Sequence, residues 1–212
     1  MLPSRSSIAP ILTLASLVAS GCGNTGTSGI SGAVYAPNGE LAAVASPSLL
    51  QRLAAAIVSE ARAMTGLERV SEGVEVRLER LDRDGSTKET LTTETTASDG
   101  TYSVSLATGE EPASTLIMRV GSDSTRMRAF VTGEHVDISP ISEVTVRLVI
   151  DSDYALANFS PAELRTIKDA INQATDAVDA GDSIETATND AEASAKDDAD
   201  VTAAIRQAGS SS

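Results

Sequence analysis

The single histidine of this 212-residue chain, His135, stands two residues from Asp137. An imidazole beside a carboxylate is two-thirds of a hydrolytic triad: the acid orients the ring, and the ring draws a proton from a serine hydroxyl. Serines are plentiful, but no Gly-x-Ser-x-Gly elbow presents one. In an extended segment His135 and Asp137 share a face, where a simple surface pair satisfies both. That reading is preferred, and no residue is assigned a catalytic role; a weak hydrolase or accessory protein using His135 is the alternative. Asp82-Arg83-Asp84-Gly85 begins like a calcium loop, yet Ser86 stands where the third ligand belongs and no glycine fills the sixth place. It reads as a hairpin turn. The acids between Asp176 and Asp200 read as a solvated face, with a calcium-responsive acidic module as the alternative. Asn158-Phe159-Ser160 matches a glycosylation sequon, but it runs into Pro161, and Ser160 already has a role as a helix cap. One His and one Cys cannot build a structural zinc site, a haem site, an iron–sulfur cluster or an internal disulfide, so no metal or cofactor is expected.

The remaining reactive side chain is Cys22. Ahead of it, Arg5 is the only charge in the first 39 residues, and Ile8 to Val18 forms an apolar run. That run is shorter than the roughly 20 residues of a spanning helix and fits the hydrophobic region of an export signal. Val18-Ala19-Ser20-Gly21-Cys22 resembles the lipobox of bacterial lipoproteins, with Ala19 standing where leucine is usual. The resemblance implies a signal peptide over residues 1–21, cleavage between Gly21 and Cys22, and a diacylglycerol thioether on Cys22. An ordinary export signal that leaves a free thiol is the alternative. Each buried CH₂ contributes about 0.8 kcal/mol, so two or more acyl chains would hold the protein to a membrane stably. Residues 22–31 are polar and Gly-rich and predict a tether, with an r.m.s. span of about 15–18 Å for Gly23 to Ser31. Gly23, rather than Asp, follows the cysteine. By the same resemblance this points to the outer membrane of a Gram-negative cell envelope.

The mature chain is strongly acidic. Residues 22–150 carry 17 acids and 11 bases, whereas 151–212 carry 13 acids and 4 bases. Such a balance argues against a nucleic-acid partner, and aromatics at 2% leave little to stack bases on. The expected partners are an envelope protein or a neutral glycan, besides the membrane that holds the lipid anchor.

These residues must be positioned by a chain that reads as β first and α afterwards. Gly29 to Ala36 alternates and stops at Pro37-Asn38-Gly39. Val74 to Leu81 alternates apolar and charged side chains, the signature of a half-buried strand. Lys88 to Thr96 is Thr-rich, and Ser98-Asp99-Gly100 predicts a hairpin to Tyr102–Leu106. Further strands are expected over Thr115–Val120 and Arg126–Val131, with His135–Ile138 extending or following the latter. A helix is expected near 47–65, started by Ser46-Pro47 and striped by Leu50, Leu53, Ile57, Ala61 and Met64. Residues 139–150 read two ways. Val144, Val146, Leu148 and Ile150 alternate as in a strand, but Ser139-Pro140 caps a helix and Glu143–Arg147 is a favourable i,i+4 pair; helix is preferred. Ser160-Pro161-Ala162-Glu163 is a capping box, and the face it starts is expected to run to Gly181. The 182–212 tail, with few large apolar residues, is expected to be weakly helical or disordered.

Ile30 to Tyr35, Gly73 to Leu78 and Thr95 to Val104 together resemble a carboxypeptidase regulatory-like domain, whose hairpin signature Asp-Gly-x-Tyr is matched by Asp99-Gly100-Thr101-Tyr102. The resemblance covers roughly residues 29–138 and implies a small antiparallel, prealbumin (transthyretin)-like β-sandwich with Tyr102 plugging one end. The stretch between Ala36 and Glu72 departs from the pattern, which has a short loop there. A carboxypeptidase zinc site is not implied, because one His cannot supply its ligands. The expected organisation is thus signal peptide (1–21), tether (22–31), sandwich with an inserted helix (32–138), helical region (139–181) and acidic tail (182–212). The expected function is that of a lipid-anchored, non-enzymatic envelope protein.

Overall fold

The alternation of Val76, Leu78 and their charged neighbours places this segment at the centre of a sheet. In the computed structural model, which describes residues 29–39, 41, 66–176 and 178–210, Glu75–Leu81 forms a strand (β4 of eight) with Val76 and Leu78 fully buried. The strands before it are β1 (Gly29–Ala33), β2 (Tyr35–Pro37) and β3 (Leu67–Arg69). After it come β5 (Thr87–Thr95), β6 (Thr101–Ser105), β7 (Leu116–Val120) and β8 (Met127–Phe130). A four-stranded antiparallel sheet has the order β5-β4-β7-β8, with Val76 opposite Val120 and Leu78 opposite Met118. Two smaller antiparallel pairs, β1-β6 and β2-β3, face it. The segment after β8 adds to them through parallel bridges, Ser31 with His135 and Val34 with Ile138. Ile30, Val34, Val104 and Leu106 from the small pairs meet Val76, Leu78, Met118 and Met127 in one core.

The other face of the four-stranded sheet is covered too. Leu81, Ile117 and Phe130 pack against four helices: α1 (Pro140–Ile150), α2 (Pro161–Ala174), α3 (Ile184–Asp197) and α4 (Ala199–Gly209). This is why β7, Leu-Ile-Met-Arg-Val, reads as an almost unbroken apolar run: its strand is buried on both sides. The fold is a mixed one of antiparallel β layers and helices.

Helix starts follow local chemistry. Ser139 accepts from Ser142 N–H and receives Pro140 at the first turn, which decides the ambiguous 139–150 stretch for helix. Ser160 and Glu163 form the reciprocal capping box expected of them. Leu164, Ile167 and Ile171 then face the core, each contributing about 1.5–3 kcal/mol by burial.

Four expectations need correction. The Ser98-Asp99-Gly100 turn joins no hairpin: β5 pairs with β4, and β6 pairs with β1. Thr96, buried, accepts from Val74 N–H and donates to Ser71 C=O, so the chain leaves one sheet there and enters the other layer. Secondly, the 182–212 region contains α3 and α4, both of which contribute to the core. Ser183 and Asp198 cap them, and Ala187, Ala191 and Ala195 form a small buried face that permits close approach. Thirdly, α2 ends at Ala174 rather than near Gly181. Lastly, β1 takes in Gly29 to Ser31, the end of the expected tether, and β3 is an additional strand. The expected signal peptide, Gly21, Cys22 and the helix near 47–65 lie outside the described residues. No helix among the described residues is long and apolar enough to cross a membrane.

Candidate functional site

The outward faces of β1 and β6 carry small side chains, most of them hydroxyls: Ser31 lies opposite Ser103, and Ala33 opposite Thr101. Their low relief leaves a groove of about 580 Å³, bounded on one side by Tyr35 and Arg69 and on the other by His135 and Asp137. That volume is in the usual range for a small-ligand site. Gly32 makes the groove possible. A Cβ there would lie 1.8 Å from the Val136 carbonyl oxygen, so only glycine lets the 135–138 segment close against β1. Beneath it the Tyr102 hydroxyl donates to that same carbonyl, and burial pushes the phenol far above its ordinary range, with the Asp137 charge adding to the effect. Tyr102 therefore ties the groove wall to the core.

The polar groups on the walls are organised. Asp137 accepts from the Ala33 N–H at 2.9 Å and lies 3.3 Å from His135 Nε2. Arg69 sits 5.8 Å from the centroid of the Tyr35 ring, a cation–π arrangement fixed by the β2-β3 register, in which the two residues are direct partners. Its guanidinium is held above the ordinary range, chiefly through Tyr35, with burial opposing and Asp99 and Asp137 assisting. Asp99 accepts from the Thr101 hydroxyl and N–H, which hold its pKa below the usual carboxylate value. With Gly100 at φ +75°, this is the Asx-type turn the Asp-Gly-Thr-Tyr run predicts. The groove thus offers hydroxyls, one guanidinium, one imidazole, one carboxylate and one aromatic ring, a set suited to hydrogen-bonding a polar ligand in both directions.

His135 and Asp137 are together, as their spacing implies, but the ring is 70% exposed and no serine hydroxyl of the described residues hydrogen-bonds it. Ser31, the nearest by register, donates to the Glu134 carbonyl. Asp82 to Gly85 forms a tight turn: Gly85 has φ +80°, and Asp84 Oδ1 accepts from the N–H and hydroxyl of Ser86. Among the described residues no group of three or more His, Cys, Asp or Glu side chains is placed to hold a metal ion. Asn158 of the sequon donates its amide to the Gly209 carbonyl and anchors the end of α4.

Two sets of residues escaped the sequence reading. Arg69 and Tyr35 went unnoticed because β3 is three residues long and its Leu67-Glu68-Arg69-Val70 run does not alternate. The second set surrounds Glu143. Its pairing with Arg147 forms at 3.1 Å, but the carboxylate is completely buried and also takes a two-pronged contact from Arg128 at 2.8 and 2.9 Å. Arg147 continues to Glu192 at 2.8 Å, and Glu192 to Lys196. This chain of charges joins β8, α1 and α3. No known protein family, curated protein or solved structure matches the chain.

Proposed function

We propose that this protein is a lipid-anchored, non-enzymatic component of a bacterial outer membrane that binds a neutral glycan in the groove between Arg69 and Asp137. The observation that carries this reading is the groove itself: a hydroxyl-lined floor between an aromatic ring capped by a guanidinium and a carboxylate–imidazole pair. Sugar hydroxyls both donate and accept, and Tyr35 gives a sugar ring an apolar surface to rest on. A chain with a net charge of -14 repels polyanions over most of its surface. The prealbumin-like reading of the β layers is supported by the burial of Tyr102 between them, while the turn before it steps between layers instead of closing the hairpin of the family signature. The anchor rests on Val18 to Cys22 alone.

Binding is tested on an array of neutral oligosaccharides with the wild-type chain, Tyr35→Ala and Ser103→Trp. The expected result is a set of bound sugars lost in both variants; identical binding by all three would refute the groove. Anchoring is tested separately by acyl labelling in cells, which Cys22→Ser should abolish.

A further inference from the structure

The helix-facing side of the four-stranded sheet concentrates positive charge in an otherwise acidic chain. Arg77, Arg119 and Arg128 are register neighbours across β4, β7 and β8, and Arg126 lies two residues before Arg128 on the same face. Carboxylates are shared unevenly among them. Arg77 is bonded to Glu75, Arg119 to Glu79 at 3.2 Å, and Arg128 to both oxygens of Glu143. Arg126 forms no side-chain hydrogen bond among the described residues. Its nearest carboxylate oxygen, Glu143 Oε1, is 3.9 Å away and already accepts from Arg128 and Arg147. The Nε atoms of Arg119 and Arg126 are both buried without a partner, yet the Arg126 side chain is 41% exposed at its other end.

The neighbourhood makes this cation costly. Burial, and then the charges of Arg128, Arg147 and Arg119, hold Arg126 below its ordinary range, with Glu143 alone opposing. The residue beside it is glycine for a structural reason. Val120 pairs with Met127, so the next position, Gly121, falls opposite Arg126 and presents no side chain. A Cβ at Gly121 would lie 2.3 Å from the Thr125 carbonyl oxygen, at φ +64°. A guanidinium that is partly buried, repelled by three others and no closer than 3.9 Å to a carboxylate already shared by two arginines is under-compensated.

We propose that Arg126 and Arg119 bind a doubly charged tetrahedral oxyanion, a phosphate or sulfate group either free or carried as a monoester. Guanidinium forks match the oxygens of such a group, and two negative charges offset the local excess. This site lies on the opposite side of the four-stranded sheet from the groove, so the two claims stand or fall independently.

The test is a titration of the purified full-length chain with inorganic phosphate, and separately with glycerol phosphate, at ionic strength held constant with sodium chloride. A saturable rise in Tm is expected, about 3–6 °C at ten times the dissociation constant. The Nε–Hε resonances of Arg119 and Arg126 should move with the same midpoint. Response to both ligands supports a site that accepts a carried phosphoryl group; response to phosphate alone supports a site for the free ion. Arg126→Gln removes a repelled, unbonded cation, so it should keep its Tm without phosphate and lose the phosphate response. A response equal to that of chloride, or an intact response in Arg126→Gln, would overturn the proposal. Arginine resonances that stay still in the wild-type titration would overturn it whatever the variant does.

Discussion

Replacing Glu143 by Gln deletes one charge from a carboxylate closed off from bulk solvent. The carboxylate is 0% exposed and accepts three hydrogen bonds, two from Arg128 and one from Arg147. At about 3 Å and an effective dielectric constant near 20, each close pair represents about 5 kcal/mol of Coulomb energy before desolvation is subtracted. Glutamine preserves the shape but offers one oxygen where two were used, and it leaves Arg128, only 13% exposed, without a counter-charge. Breaking a buried pair in this way costs about 3–5 kcal/mol. Arg147 keeps its contact with Glu192, so the loss should fall mainly on the link between β8 and α1. Urea unfolding followed by circular dichroism measures it: with a slope of about 2 kcal/mol per molar, the midpoint should drop by about 1.5–2.5 M at unchanged slope. The double variant Glu143→Leu with Arg128→Met removes both charges and should recover most of the loss. A Glu143→Gln loss below about 1 kcal/mol would refute the argument, and so would a double variant no more stable than the single one.

Tyr102→Ala removes a buried ring and its hydroxyl from the core beneath the groove and should destabilise by about 3–5 kcal/mol in the same assay, whereas Tyr102→Phe should lose only the hydrogen bond to Val136, about 1 kcal/mol. Stability should also depend on pH through Glu192. Burial raises its titration point, but Lys196 and Arg147 outweigh that and lower it below the unfolded value of 4.5. The unfolded chain therefore takes up the proton first, so the contribution is complete above about pH 5 and fades as pH falls through the folded value. Comparing wild type with Glu192→Gln by denaturation at pH 7 and pH 4 should show a difference that shrinks at the lower pH.

What could be read from the sequence was what local chemistry decides. The alternation from Val74 to Leu81, the Ser139-Pro140 and Ser160-to-Glu163 caps and the Asp99-Gly100 turn each specify their own conformation, and each is found in place. What could not be read depends on lateral choice. A turn reverses the chain without selecting a partner, so the same Asp-Gly signal serves a hairpin or a step between layers; the buried hydrogen bonds of Thr96 decide it. The alanine faces of α3 were invisible for a different reason. Burial usually announces itself through large apolar side chains, but close helix packing selects small ones, and Ala191 and Ala195 are as buried as any leucine. The Arg69–Tyr35 wall shares this dependence on register, since neither residue means anything until β2 meets β3.

Register also explains why charge sits in the second core at all. An apolar helix layer could slide on Leu81, Ile117 and Phe130, which offer area without direction. The pairs from Arg128 through Glu143 and Arg147 to Glu192 are directional, and the outer two join different elements, β8 to α1 and α1 to α3, with the i,i+4 pair inside α1 between them. A slip by one helical residue would strand at least one buried charge, a larger loss than the apolar contacts could regain. Arg126 lies at the end of that chain, where the last carboxylate is already used. An arrangement built only to lock the helices would do as well with a neutral residue there, because its guanidinium adds repulsion from three arginines against one 3.9 Å contact with Glu143 and no hydrogen bond. A cation at a position where packing does not need it is the feature that a bound oxyanion would account for.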